Sequence, residues 1–182
     1  MTEETNEVKE VTLEEIKREV SSAQKEKMKS GERIQLIVFK LAGAEYALSI
    51  DDIKEVVITP SIAKIPQTPD YIKGVSNIRG NIIAIMDMEE RFNLVKTKDK
   101  KIGSYTLVIA SEEFKLGILV TEVPNTLNTY TSEIDTASNV MQFSTLEKEC
   151  IKGVVKADKR LIILIDIFKL IEFEDLSTVT NI

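Results

Sequence analysis

Asp87 and Asp166 are the residues of this chain whose type and setting come nearest to chemistry. Each follows an apolar run, Ile82 to Met86 and Leu161 to Ile165, and each precedes a helix-like stretch. Two carboxylates facing a cleft can divide general-acid and general-base work if their surroundings push their pKa values apart. Glu55 is a third carboxylate available to such a scheme. The chain, however, contains no histidine, which removes Ser-His-Asp and Cys-His chemistry and nearly all zinc sites. The single cysteine, Cys150, lies in Glu149-Cys150-Ile151 beside an apolar run, and reads as a small buried apolar residue rather than an activated nucleophile. Gly80 has no partner glycines opening a helix, so Arg79-Gly80-Asn81 is a turn and not a phosphate loop. The simpler reading of each aspartate is a helix N-cap. With no acid–base partner in sight, we expect no catalytic residue, no cofactor and no metal site.

The elements around these residues are short strands. Ile34 to Leu41 and Tyr46 to Ile50 flank Ala42-Gly43-Ala44 as a hairpin. Pro60, Pro66 and Pro69 punctuate an irregular connection. Three more hairpins follow: Lys73 to Ile78 with Ile82 to Met86, Tyr105 to Ala110 with Phe114 to Val120, and Lys152 to Lys156 with Leu161 to Ile165. Asp87 and Asp166 then cap two short helices, and Thr129 to Asn139 reads as a long polar connection. Residues 1–32 differ: Thr12-Leu13-Glu14-Glu15 fits a capping box, and Leu13, Ile16 and Val20 follow at helical spacing. An amphipathic helix over about 12–28 is expected there, docked or mobile. Short β-branched strands with frequent turns favour small barrels or a sandwich, an all-β class.

Of 182 residues, 43% are hydrophobic and 30% charged, and the net charge is −6. An acidic surface disfavours nucleic acid and anionic membranes as partners. No apolar run reaches the ~20 residues of a membrane span, and no signal peptide is expected. A lone cysteine suits a reducing, cytoplasmic setting.

The chain also repeats itself. Ile72-Lys73-Gly74-Val75 recurs as Ile151-Lys152-Gly153-Val154, an offset of 79 (153 − 74) that also carries Asp87 onto Asp166. Leu48, Ile50 and Ile53 echo Ile118, Val120 and Val123 at an offset of 70 (118 − 48). Two similar units packed together are implied.

Tyr71-Ile72-Lys73-Gly74-Val75-Ser76-Asn77-Ile78-Arg79-Gly80-Asn81-Ile82, closing at Asp87, resembles the signature of the CheW-like family, the coupling proteins of bacterial chemotaxis. Glu45-Tyr46-Ala47-Leu48 with Ile53-Lys54-Glu55-Val56 is similar to the family's N-terminal strand pair. The resemblance covers about residues 33–172. It implies two five-stranded SH3-like β-barrel subdomains around a shared hydrophobic core, with short helices. It implies an N-terminal extension over 1–32, units of about 33–102 and 103–176 with exchange of strands between them, and a tail over 177–182. It also implies a non-catalytic scaffold, cytoplasmic and recruited to receptor clusters. One surface would take the helical hairpin tip of a chemoreceptor and another the regulatory domain of the chemotaxis histidine kinase. The receptor-facing set would be Ile53, Glu55, Val57, Asn77 and Arg79; no kinase-facing residue is assigned. Gly74, Gly80, Gly117 and Gly153 would keep backbone geometry near contacts. The chain departs from the family's pattern at Thr121, where an aspartate is usual.

One residue-level reading remains open: Ile53, Val56 and Val57 fit either a core or an exposed apolar groove that takes a helix. Arg79 alone would read as a solvated turn arginine, but the motif favours its planar five-donor group as a recognition point. Two other functions compete: an enzyme using Asp87, Asp166 or Glu55, and a barrel that binds oligonucleotides. The acidic balance and the absence of tryptophan oppose the latter.

Overall fold

Alternating apolar residues cut by Gly, Asn and Asp turns form eleven strands among the described residues (31–94, 103–110, 114–136 and 149–172) of the computed structural model. In chain order they are β1 (Arg33–Leu41), β2 (Ala44–Ser49), β3 (Ile53–Ile58), β4 (Ile72–Ile78), β5 (Asn81–Met86) and β6 (Tyr105–Ala110). β7 (Lys115–Val120), β8 (Asn125–Tyr130), β9 (Ile134–Asp135), β10 (Ile151–Ala157) and β11 (Arg160–Ile165) complete the set. Short helices α1 (Met88–Arg91) and α2 (Ile167–Glu172) follow β5 and β11. The helix expected over 12–28 and the tail over 177–182 lie outside the described residues.

The strands form two curled sheets, ordered β8-β1-β2-β11-β10-β9 and β3-β6-β7-β5-β4. Both are SH3-like barrels, and the same device closes each. In the six-stranded barrel, β8 leads through a 3-10 turn at Thr131–Glu133 directly into β9, which pairs with β10 on the opposite edge. In the five-stranded barrel, the chain leaving β3 reaches Ala63, which bridges Val75 of β4. Each sheet takes strands from both sides of residue 102. The parallel pairs β2·β11 and β5·β7 join segments far apart in sequence, so the barrels are not the two halves of the chain.

The repeat is written into the register. A shift between Ile72 and Gly74 recurs between Ile151 and Gly153. Asp87 N–H donates to the Tyr71 carbonyl as Asp166 N–H donates to that of Cys150, each partner 79 positions on (166 − 87). The turn residues Arg79 and Asp158, again 79 apart (158 − 79), both adopt positive φ, 51° and 54°.

Burial has three compartments. Leu36, Val38, Ala47, Val155, Ile162 and Leu164 fill the six-stranded barrel. Ile78, Ile83, Ile85, Val108 and Leu119 fill the five-stranded one. A larger cluster between them includes Phe39, Leu48, Met86, Leu107, Ile118, Ile165 and Leu170. Strands such as β7 are therefore apolar on both faces, which explains runs too continuous for a half-solvated sheet. One expectation fails here. Thr129 and Tyr130, read as the start of a long polar connection, end strand β8 (Asn125–Tyr130), which pairs with β1 through Leu36↔Leu127. Leu127 packs on a core and Thr129 is buried two residues on, but with one of the two polar the segment carries almost no apolar alternation.

Candidate functional site

The β4–β5 hairpin turns on two residues, Arg79 (φ 51°) and Gly80 (φ 85°). Two-residue hairpins favour this primed geometry because it matches strand twist. Asn77 Oδ1 accepts the Gly80 N–H at 2.9 Å, so the Asn77 amide fastens the turn. Lys115 Nζ donates to Asn81 Oδ1 at 2.6 Å and ties the turn to β7. An arginine held at positive φ costs about 1–2 kcal/mol relative to glycine. Asp158, in the matching turn, belongs to a type that tolerates this conformation better. A residue the backbone does not prefer, kept at a rigid tip, points to a use for its side chain.

That side chain is presented to solvent. Arg79 Nε donates to Glu55 Oε2 at 2.6 Å, with Arg79 77% exposed and Glu55 20%. The pair joins β3 to the β4–β5 turn, and β3 and β4 are the two edges of this sheet. Of the expected receptor-facing set, the structure thus brings Glu55, Asn77 and Arg79 together. Ile53 and Val57 point elsewhere: Ile53 packs on the cluster between the barrels and Val57 on the interior of the five-stranded barrel. The exposed apolar residues of this barrel are Val56 at 43%, Ile58 at 78% and Ile82 at 54%. Ile58 and Ile82 escaped the sequence reading. The period-2 signal was there, since exposed Lys54 shares its strand face with Val56 and Ile58.

Next to Ile58 lies a groove of about 750 Å³, lined by Leu41, Ile58, Pro60, Ile62, Leu119 and Val120. Leu41 comes from the six-stranded barrel, so the groove runs between the two. Half-buried Thr121, the departure noted above, lies on its wall. A more polar depression of about 530 Å³, including Ile65, Pro69 and Leu94, adjoins it. The two share Lys64, Lys73, Glu89 and Glu90, forming one trough.

The glycines act by close approach. A Cβ on Gly74 (φ 133°) would strike the Ala63 carbonyl and lie 3.0 Å from Lys64 Cα. One on Gly153 would lie 2.8 Å from the Asp135 carbonyl oxygen, in the matching place. One on Gly117 would lie 2.7 Å from both Ile85 and Thr106. Gly80 has open space around it and serves only its positive φ.

The carboxylates are caps. Asp87, 5% exposed, accepts the Glu89 and Glu90 N–H groups at 3.0 and 3.3 Å. Asp166 Oδ1 accepts the Lys169 N–H at 3.2 Å, and its Oδ2 lies 3.9 Å from Lys152 Nζ. Among the described residues no group of three or more His, Cys, Asp or Glu is placed to hold a metal ion. Burial pushes the Asp52 carboxyl up; Lys152 opposes the shift, and Asp166 and Asp51 add to it. Burial likewise pushes up the Cys150 thiol, against the pull of Arg91. Cys150 is fully buried, as a small apolar residue would be. No helix among the described residues is long and apolar enough to cross a membrane.

The family model for the CheW-like domain matches residues 35–175. The chain belongs to the CheW-like family. Chemotaxis protein CheW of Treponema pallidum is 29% identical over 155 residues, covering 83% of this chain and 89% of that protein. Its Bacillus subtilis counterpart is 31% identical over 142 residues, covering 76% and 86%. The crystal structure of scaffolding protein TtCheW from Thermoanaerobacter tengcongensis superposes with a TM-score of 0.65 at 32% identity, covering 75% of this chain and 86% of that one. The chain is thus a chemotaxis adaptor of a non-enzymatic family.

Proposed function

We propose that this adaptor couples transmembrane chemoreceptors to the chemotaxis histidine kinase, positioning the kinase without transforming a substrate. It would do so in the cytoplasm, at receptor clusters. The observation that carries the reading is the Arg79–Glu55 pair on a rigid hairpin tip, with exposed Val56, Ile58 and Ile82 close by in sequence. A helix laid against a groove needs an apolar floor and a few oriented polar groups. The Ile58 groove supplies the floor and Arg79 the donors. On this reading the receptor's hairpin tip takes the five-stranded barrel. Leu161, exposed on β11 of the six-stranded barrel, leaves a separate face for the kinase's regulatory domain. Each interface can be weak alone, since an array of linked contacts supplies avidity.

The test is a pull-down of the full chain with a receptor cytoplasmic fragment and with the kinase. Both should bind. If neither is captured at tens of micromolar, coupling is the wrong function.

A further inference from the structure

The rim of the trough is charged, but most of its charge is already committed. Lys40 lies 3.3 Å from Glu122. Lys73 contacts Glu90 and donates to the Asp70 carbonyl at 3.1 Å. Glu89 Oε1 accepts the Ala42 N–H at 2.9 Å. Asp87 is engaged in its cap. Lys64 stands apart: it is exposed, it lines both parts of the trough, and among the described residues it has no ion-pair or hydrogen-bond partner.

Its position is built, not incidental. Ala63 and Val75 exchange two backbone hydrogen bonds, each 2.8 Å, which pins the residue before Lys64 to β4. Gly74 makes room for that approach, because a side chain there would meet Ala63 and the Cα of Lys64. Ile62 anchors the same segment on the barrel interior. The backbone of a surface lysine at the junction of an apolar groove and a polar one is therefore fixed. Among the described residues, nothing pairs with its ammonium.

We propose that the trough selects an amphipathic helix whose apolar stripe is bordered by a carboxylate, and that Lys64 receives that carboxylate. The inference rests on the helix-docking reading above and adds a specificity-determining residue to it. The apolar stripe seats on Ile58, Ile62, Leu119 and Val120. A carboxylate along its edge then meets Lys64, the one rim cation among the described residues without a partner. A helix flanked by lysine or arginine at that edge is rejected, because like charges face each other.

The experiment titrates the full chain with a chemoreceptor cytoplasmic hairpin fragment, comparing wild type, Lys64→Glu, Lys64→Arg, Ile58→Asp and Arg79→Ala. Lys64→Glu should weaken binding about tenfold at low salt, mostly through the association rate. The loss should fade near ~1 M salt, where the Debye length is about 3 Å. Lys64→Arg should bind as wild type does. If Ile58→Asp and Arg79→Ala weaken binding while Lys64→Glu does not, the Lys64 inference is overturned and the docking reading stands. A Lys64→Glu loss that is insensitive to salt, or shared by Lys64→Arg, assigns Lys64 a structural role and also overturns it. If the wild-type chain does not bind the fragment, the receptor reading falls and takes this inference with it.

Discussion

Gly74→Ala tests the closure of the five-stranded barrel. Two costs add. At φ 133° an L-residue is strained, at about 1–3 kcal/mol. The new methyl would also run into the Ala63 carbonyl, with its carbon only 2.7 Å away. Backbone cannot swing aside as a flexible side chain can, so the segment must lift. Lifting it loosens both Ala63–Val75 hydrogen bonds, worth about 0.5–1.5 kcal/mol each. Together these give about 2–6 kcal/mol, a large share of a typical 5–15 kcal/mol stability. At about 2–4 °C per kcal/mol for a chain of this size, the melting temperature should fall by roughly 4–24 °C. Gly80→Ala is the control. It has a positive φ of 85° but nothing within 4 Å, so it should cost only about 1 kcal/mol. Urea unfolding of the two variants decides the matter. A Gly74→Ala loss no larger than that of Gly80→Ala would refute the close-approach argument.

Other perturbations follow from the same geometry. Asp87→Ala removes a buried side chain that caps α1 through two N–H groups; unfolding should register a loss of about 1–2 kcal/mol. The Asp52 carboxyl is pushed up by burial and its Oδ2 has no partner. A raised folded-state pKa means the native protein holds this proton more tightly than the unfolded chain. Asp52 therefore contributes falling stability as pH rises from about 4 through its folded pKa. Asp52→Asn should flatten that part of a stability-versus-pH curve and raise the melting temperature at pH 7; an unchanged curve would remove Asp52 from the account. Cys150 is fully buried with its thiol pushed up, so a disulfide reagent at pH 8 should label it only as fast as the chain opens. Rapid labelling of the native protein would contradict its burial.

The hairpins and caps were legible because their signals are local. Arg79-Gly80 and Asp158-Lys159 sit between alternating apolar residues, and Asp87 and Asp166 stand where a strand gives way to a helix. The repeat was legible because the Gly74 and Gly153 positions need the same absent side chain. β8 was not, since its partner β1 supplies the apolar contacts and its own residues are mostly Asn and Thr. The parallel pairing of β2 with β11 leaves no trace in either local sequence, because a partner 117 residues away (162 − 45) is chosen by packing. The candidate site was half legible. Arg79, Asn77 and Glu55 lie together at the β4–β5 turn, and the exposed apolar residues of the same barrel are Val56, Ile58 and Ile82. Period-2 alternation along β3 turns Ile53 and Val57 inward and leaves Val56 and Ile58 exposed.

The most direct measurement is sedimentation of the histidine kinase with receptor-bearing membranes, with and without this chain. Coupling predicts that wild-type chain carries the kinase into the pellet. Arg79→Ala should fail to do so while changing stability by less than about 1 kcal/mol, as an exposed ion pair allows. Kinase that pellets equally well with the variant, or not at all with wild type, would contradict the account.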